Sequence, residues 1–117
     1  MKQQLIHLDH SSHTLLQESI PNNKICLQLA DFYSMFSDST RLKIIIALLI
    51  REMCVNDLSQ TLNINQTTIS HQLKILKSNG AVTTTRHNKF VFYKVTNTFI
   101  NSIMINGVDY LLNRPAI

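Results

Sequence analysis

Between Leu58 and Val108 the chain contains no aspartate or glutamate. The sequence of 117 residues carries a formal net charge of +4 at pH 7, an excess too small to separate a nucleic-acid binder from an ordinary basic protein. The placement of that charge is more telling. Lys74, Lys77, Arg86, Lys89 and Lys94 all fall inside the acid-free window, and a surface so poor in carboxylates attracts phosphate and opposes it little.

Other scarcities exclude whole classes. Two cysteines, Cys26 and Cys54, are too few for a disulfide scaffold and read as reduced thiols. The longest apolar run, Ile44 to Ile50, is a helical turn or two and far short of a membrane span. His7, Asp9 and His10 interrupt the apolar residues near Leu5 and Leu8, so the N-terminus does not resemble a secretory signal, and a cytoplasmic location is expected. There is no internal repeat and no low-complexity tract. The length allows one domain, with 44% hydrophobic residues to build a core and a surface-to-volume ratio that favours dimerisation.

What is present centres on residues 65–80. Ile69, Leu73 and Leu76 recur at steps of four and three and make one apolar stripe. Asn65 is placed to cap the first turn, and Gly80 to take the left-handed conformation beyond the last. The remaining face carries Gln66, Thr67, Thr68, Ser70, His71, Lys74 and Lys77, side chains suited to base edges and phosphates. After Gly80, the segments Ala81 to Arg86 and Phe90 to Val95 are rich in β-branched and aromatic residues, and His87-Asn88-Lys89 separates them, which predicts a hairpin with Asn88 at positive φ. Arg86 and Lys89 are its candidate phosphate contacts. Before Asn65, Val55, Leu58 and Leu62 share one side of a short helix, and Asn63-Ile64 makes a tight connection between two helices crossing at a large angle. The predicted order is helix, turn, helix, hairpin: a mainly α winged helix-turn-helix with a small β wing.

Other helices flank this unit. Ile25, Leu29, Phe32 and Phe36 follow steps of four, three and four from a start at Pro21 or Asn22. Ser37-Asp38-Ser39 breaks and caps the next helix, Thr40 to Glu52, whose apolar run marks it as central. Asn97 caps a last helix with Ile100, Ile103, Met104, Val108 and Leu111 in a stripe, ending before Pro115. The middle helices already supply a core, so Ile25, Leu29, Ile100, Ile103, Met104 and Leu111 are assigned to a twofold interface. The expected organisation is an N-terminal arm over 1–20, a DNA-binding and dimerisation domain over 21–114, and a tail over 115–117.

Three ordered segments then carry a resemblance. Phe36-Ser37-Asp38-Ser39-Thr40-Arg41-Leu42-Lys43-Ile44 is similar to an A-D-x-x-R-L-x-I signature. It is followed by Glu52-Met53-Cys54-Val55-Asn56-Asp57-Leu58 and by Ile69-Ser70-His71-Gln72-Leu73-Lys74-Ile75-Leu76. Together they resemble the ArsR/SmtB family of bacterial metal-responsive repressors, over roughly Ile25 to Leu111. The resemblance implies a dimer that binds a palindromic DNA operator and is released by an inducer, with Arg41 structural and near the phosphate backbone.

It also implies where an inducer binds. One family motif, E-L-C-V-C-D-L, supplies two thiolates for soft ions, but here the second cysteine position is Asn56. A second, E-L-C-V-G-D-L, uses the cysteine and the aspartate three residues later, joined by His or Cys from the other subunit's arm. Cys54 and Asp57 match it, and His7, Asp9, His10 and His13 cluster in the arm, with the three histidines expected on one side of a helical turn. Cys54, Asp57, His7 and His10 form a set suited to tetrahedral zinc. Another family site, on the last helix, is absent, because Asn97, Phe99, Tyr110 and Asn113 occupy its positions. The alternative is a winged-helix regulator without metal sensing, in which Cys26 or Cys54 responds to oxidation. An enzyme using Cys54 with His71 is rejected: nothing orients the imidazole and no oxyanion site follows the cysteine.

Overall fold

The computed structural model of the chain describes residues 6–115, so positions 1–5 of the expected arm and 116–117 of the expected tail lie outside the described residues. The described chain divides into two compact units between Tyr33 and Ser34.

In the first unit, α1 (His10–Ser19) begins at Asp9, whose carboxylate accepts from the Ser12 amide at 2.8 Å. The arm was expected to be a helix at most around its histidines, and the structure corrects their arrangement. The helix starts at His10, so His7 precedes it and only His10 and His13 share a face, three residues apart. α2 (Asn23–Ser34) follows, with Asn22 Oδ1 accepting from the Ile25 amide at 3.0 Å. Neither α1 nor α2 has a buried residue.

The second unit opens with the stop that ends α2. Ser37 returns both its amide and its hydroxyl to the Ser34 carbonyl, so Phe36, expected on the α2 stripe, falls in the connection. Asp38 then caps α3 (Ser39–Ile50), accepting from the Arg41 amide at 2.9 Å. Ile44, Ile45, Ala47 and Leu48 are buried, as expected of a central helix. α3 ends at Ile50 rather than Glu52, because Arg51 is extended and Met53 exchanges two backbone hydrogen bonds with Tyr93.

α4 (Val55–Leu62) ends at Asn63 in the left-handed conformation, φ 56°. An asparagine tolerates that region better than most residues. The Ser59 hydroxyl donates to the Ile64 carbonyl and the Ile64 amide to the Ser59 carbonyl, closing the turn into α5 (Gln66–Ser78). Asn65 caps α5 through the Thr68 amide at 2.8 Å. At the far end Gly80 has φ 75°, while the Ala81 amide bonds to the Leu76 carbonyl and the Gly80 amide to that of Lys77, the paired bonds of a glycine-terminated helix. Ile69, Leu73 and Leu76 are buried, and α5 packs against α3 and α4.

The antiparallel hairpin is β1 (Thr83–His87) and β2 (Phe90–Lys94), with His87 opposite Phe90 and Asn88 at φ 58°. Ala81 and Val82, expected to begin the first strand, enter the core. α6 (Thr98–Asn113) is capped by Asn97 through the amides of Phe99 and Ile100. The result is the winged helix-turn-helix that the sequence predicts.

Because the Asn65 carboxamide is the capping group of α5, Asn65→Ala should lower stability by about 0.5–2 kcal/mol. Urea unfolding followed by circular dichroism measures it; a midpoint equal to that of the parent would show that the cap contributes nothing.

Candidate nucleic-acid interface and metal donors

The seam that buries one side of α5 decides which side chains face out. Gln66, Thr67, Ser70, His71, Lys74 and Lys77 are exposed, while Thr68 is half-buried on the flank, its amide held by the Asn65 cap. The wing adds exposed Arg86, His87 and Lys89, with the Lys89 ammonium 5.7 Å from the centre of the Phe90 ring. The His87 ring meets Phe92 edge to face at 5.4 Å. The first residue of α5 is tied sideways as well: Gln66 Nε2 donates to Asn56 Oδ1 of α4 at 2.9 Å.

Arg41 links the start of α3 to the same helix. Its Nε donates to the Met35 carbonyl at 2.9 Å, one terminal nitrogen to the Ser34 carbonyl at 3.3 Å and the other to Gln72 Oε1 at 3.3 Å. A planar guanidinium serves three divergent acceptors with little reorganisation. The sequence pattern marks neither Gln72 nor Asn56 as a hydrogen-bonding partner of this site. Gln72 lies 31 residues from Arg41 and Asn56 ten from Gln66, separations that leave no periodic trace.

The candidate metal donors fall on two elements. Cys54 occupies the N-cap position of α4, just before the helix, half-buried and with a thiol that makes no capping bond. Asp57 is exposed in the first turn of α4. In the first unit, His7, His10 and His13 are exposed. The Asp9 carboxylate is committed to its cap: the Ser12 amide, with help from the Ser11 hydroxyl, holds its pKa below the usual carboxylate range. Among the described residues of one chain no three His, Cys, Asp or Glu side chains come together to hold a metal. One thiolate, one carboxylate and two imidazoles nevertheless have the composition of a four-coordinate zinc shell.

The expected interface residues divide. Ile25 is 43% exposed and Leu29 45% on α2, and Leu111 is 59% exposed on α6, whereas Ile103 and Met104 are half-buried. Ile100 is 1% exposed within the single chain. Its assignment to an interface is therefore corrected: it sits in the first turn of α6, facing inward, and is part of the chain's own core. Exposed large apolar residues of α6 that the stripe did not include are Phe99, Ile105, Tyr110 and Leu112.

A family model described as bacterial regulatory protein, arsR family, matches residues 38–84. The chain is 35% identical over 83 residues to the cadmium resistance transcriptional regulatory protein CadC of Listeria innocua, covering 70% of each. It is 29% identical over 109 residues to a transcriptional repressor SmtB homolog of Synechocystis, covering 93% of this chain and 81% of that one. Among solved structures, the homodimeric winged helix-turn-helix DNA-binding domain of a possible ArsR-family regulator from Mycobacterium bovis superposes with a TM-score of 0.69 at 23% identity, covering 84% of this chain and 95% of that one.

The matched segment begins at Asp38 and contains Arg41 and Gln72. Arg41→Lys keeps the charge but cannot reach all three acceptors, leaving the part-buried Met35 carbonyl or Gln72 Oε1 without this partner at a cost of about 1–3 kcal/mol. Chemical denaturation should register that loss with helix content unchanged; a lysine variant as stable as the parent would remove Arg41 as a strut.

Proposed function

The chain belongs to the ArsR/SmtB family of bacterial transcriptional regulators, DNA-binding repressors rather than enzymes, and from that premise we propose that it works as a homodimer on a palindromic operator and is released by zinc. The observation that carries the reading of DNA is the single row of Gln66, Thr67, Ser70, His71, Lys74 and Lys77 left exposed by the buried seam of α5. Residues at the N-terminal end of such a helix reach base edges in the major groove. In this assignment Gln66, Thr67, Ser70 and His71 take bases, Thr68 lines the flank, and Lys74, Lys77, Arg86 and Lys89 take phosphates. A palindrome follows from twofold symmetry, with half-sites about one DNA turn apart.

The dimer reading rests on apolar surface. α6 leaves Ile105, Val108, Leu111 and Leu112 between 44% and 78% exposed, and α2 leaves Ile25, Leu27 and Leu29 at 43% to 68%. Between α3 and α6 runs an apolar groove of about 440 Å³, lined by Ile46, Leu49, Ile50, Met104, Ile105 and Val108. Apolar surface on this scale marks an interaction site, and Ile25, Leu29, Ile103, Met104 and Leu111 are its interface side chains. The domain boundaries proposed for this assembly are an arm over 1–20, a DNA-binding and dimerising domain over 21–114 and a tail over 115–117.

For the inducer, a relative named for cadmium resistance supports a metal ion, and the donor types of this chain favour zinc. Cys54 and Asp57 of one protomer with His7 and His10 of its partner would hold it, the thiolate and imidazoles binding deprotonated. Bound there, zinc would supply a positive centre that draws these donors of the two protomers together.

Two experiments test these assignments. A Ser70→Ala/His71→Ala double variant should lose discrimination between operator and random DNA by about 1–3 kcal/mol per base contact removed, while Lys89→Ala should weaken all sequences alike and flatten the salt dependence. Binding titrations at several salt concentrations separate the two patterns, and unchanged selectivity in the double variant would remove α5 as the reader. Cys54→Ser and His7→Ala/His10→Ala should each bind operator without metal yet no longer release it on adding zinc. Zinc affinity of the parent should fall as pH is lowered, because protons compete for the donors. If both variants respond to zinc like the parent, the bridging site is wrong.

A further inference from the structure

Gln66 is the first residue of α5, exposed, and at the N-terminal end of the helix proposed to enter the groove. Its amide is not free to turn. Nε2 donates to Asn56 Oδ1 at 2.9 Å, across from α5 to the first turn of α4. We propose that Asn56 is a positioning residue that fixes the Gln66 amide to read adenine in the operator, a specificity that rests on the proposed role of α5 as the major-groove reader.

The argument is one of hydrogen-bond inventory. A glutamine amide has two N–H donors and an acceptor oxygen. With the hydrogen that points away from Oε1 given to Asn56, the second N–H and Oε1 remain side by side on one edge: one donor, one acceptor. In the major groove adenine offers N7 as acceptor and its N6 amino group as donor, the complementary pair. Guanine offers two acceptors, O6 and N7, which that edge cannot satisfy together. Cytosine and thymine each offer it one polar partner. An unbuttressed glutamine would turn its amide over and present the pair in either order, so the bond from α4 fixes the order that one orientation of adenine matches as well as limiting side-chain freedom. Position 56, like Met53, departs from both sequence motifs that this segment otherwise resembles. A cysteine or glycine there has no side-chain carbonyl to hold the amide.

The test is selection of bound sites from randomised double-stranded DNA by the purified full-length protein, its Asn56→Ala, Asn56→Asp, Gln66→Ala and Ser70→Ala/His71→Ala variants, with the unfolding midpoint of each measured alongside. The parent should enrich adenine at one position in each half-site by about 5- to 150-fold over other bases, the range of a bidentate contact. Gln66→Ala should lose that preference. Asn56→Ala should weaken it several-fold at the same position only, with its unfolding midpoint unchanged, and Asn56→Asp, which keeps an acceptor oxygen, should restore it while binding all sites more weakly through its added negative charge. Adenine preference intact in Asn56→Ala overturns the proposal, as does guanine at the Gln66-dependent position. If no position depends on Gln66 while others depend on Ser70 and His71, the proposal fails and the reader stands. If none depends on any of these residues, both fail.

Discussion

Everything α5 presents to solvent depends on the three side chains it hides. Ile69, Leu73 and Leu76 are at most 1% exposed, seated against α3 and α4. Burying each contributes about 1.5–3 kcal/mol, more than a typical cap or surface hydrogen bond. The seam also sets rotation: moving it by one residue would turn the outward row by about 100° and send Ser70 and His71 away from any groove. The caps at Asn65 and Gly80 fix length, and the seam fixes facing. Arg41 adds a polar strut to the same helix through Gln72, which resists sliding along a seam that dispersion alone would permit.

The apolar side chains outside that core have a different character. In the second unit α3 supplies Ile44, Ile45, Ala47 and Leu48 to the interior, and α6 contributes one fully buried residue, Ile100. The rest of α6 is as apolar as a core helix and largely in water, with Leu112 78% exposed. Such a helix is unfavourable in an isolated chain and favourable when another surface covers it. This separates two roles that one sequence stripe had merged: the first turn of α6 closes the chain's own core, and the following turns carry the exposed apolar surface proposed for the dimer.

The elements were legible in the sequence wherever a period and a cap coincided. Asn65, Asn97 and Asp38 each announced a helix start, and Asn88 and Gly80 each stood where positive φ was needed. Of α1 only a helical turn around the histidines was legible, because the helix buries nothing: Asp9 and the serines that follow can cap a helix, yet no buried apolar stripe marks its length. The end of α3 was placed too late because its apolar run ends on good helix formers, while the reason for stopping, the Met53–Tyr93 bridge, lies forty residues away along the chain. The site was legible as a set of outward side chains and not as a network. Gln66 and Ser70 could be named from the polar face; that Gln66 is held by Asn56, and α5 by Arg41, requires knowing which helices cross.

That network gives the short segment before and into α4 a place between two kinds of chemistry. Met53 is bound to β2 of the wing through both of its backbone groups, at 3.1 and 2.9 Å. Asn56 is bound to the first residue of α5. Cys54 and Asp57, the proposed metal donors, lie among these same few residues, and Leu58, fully buried, anchors the helix immediately behind them. With the rear of α4 fixed in the core, any pull on Cys54 or Asp57 must be taken up in its first turn. An N–H···O bond is good only between about 2.7 and 3.2 Å. A displacement of less than an ångström there would break the Gln66–Asn56 bond while leaving the seam of α5 packed, and this is the route by which the proposed donors would act on the proposed reader.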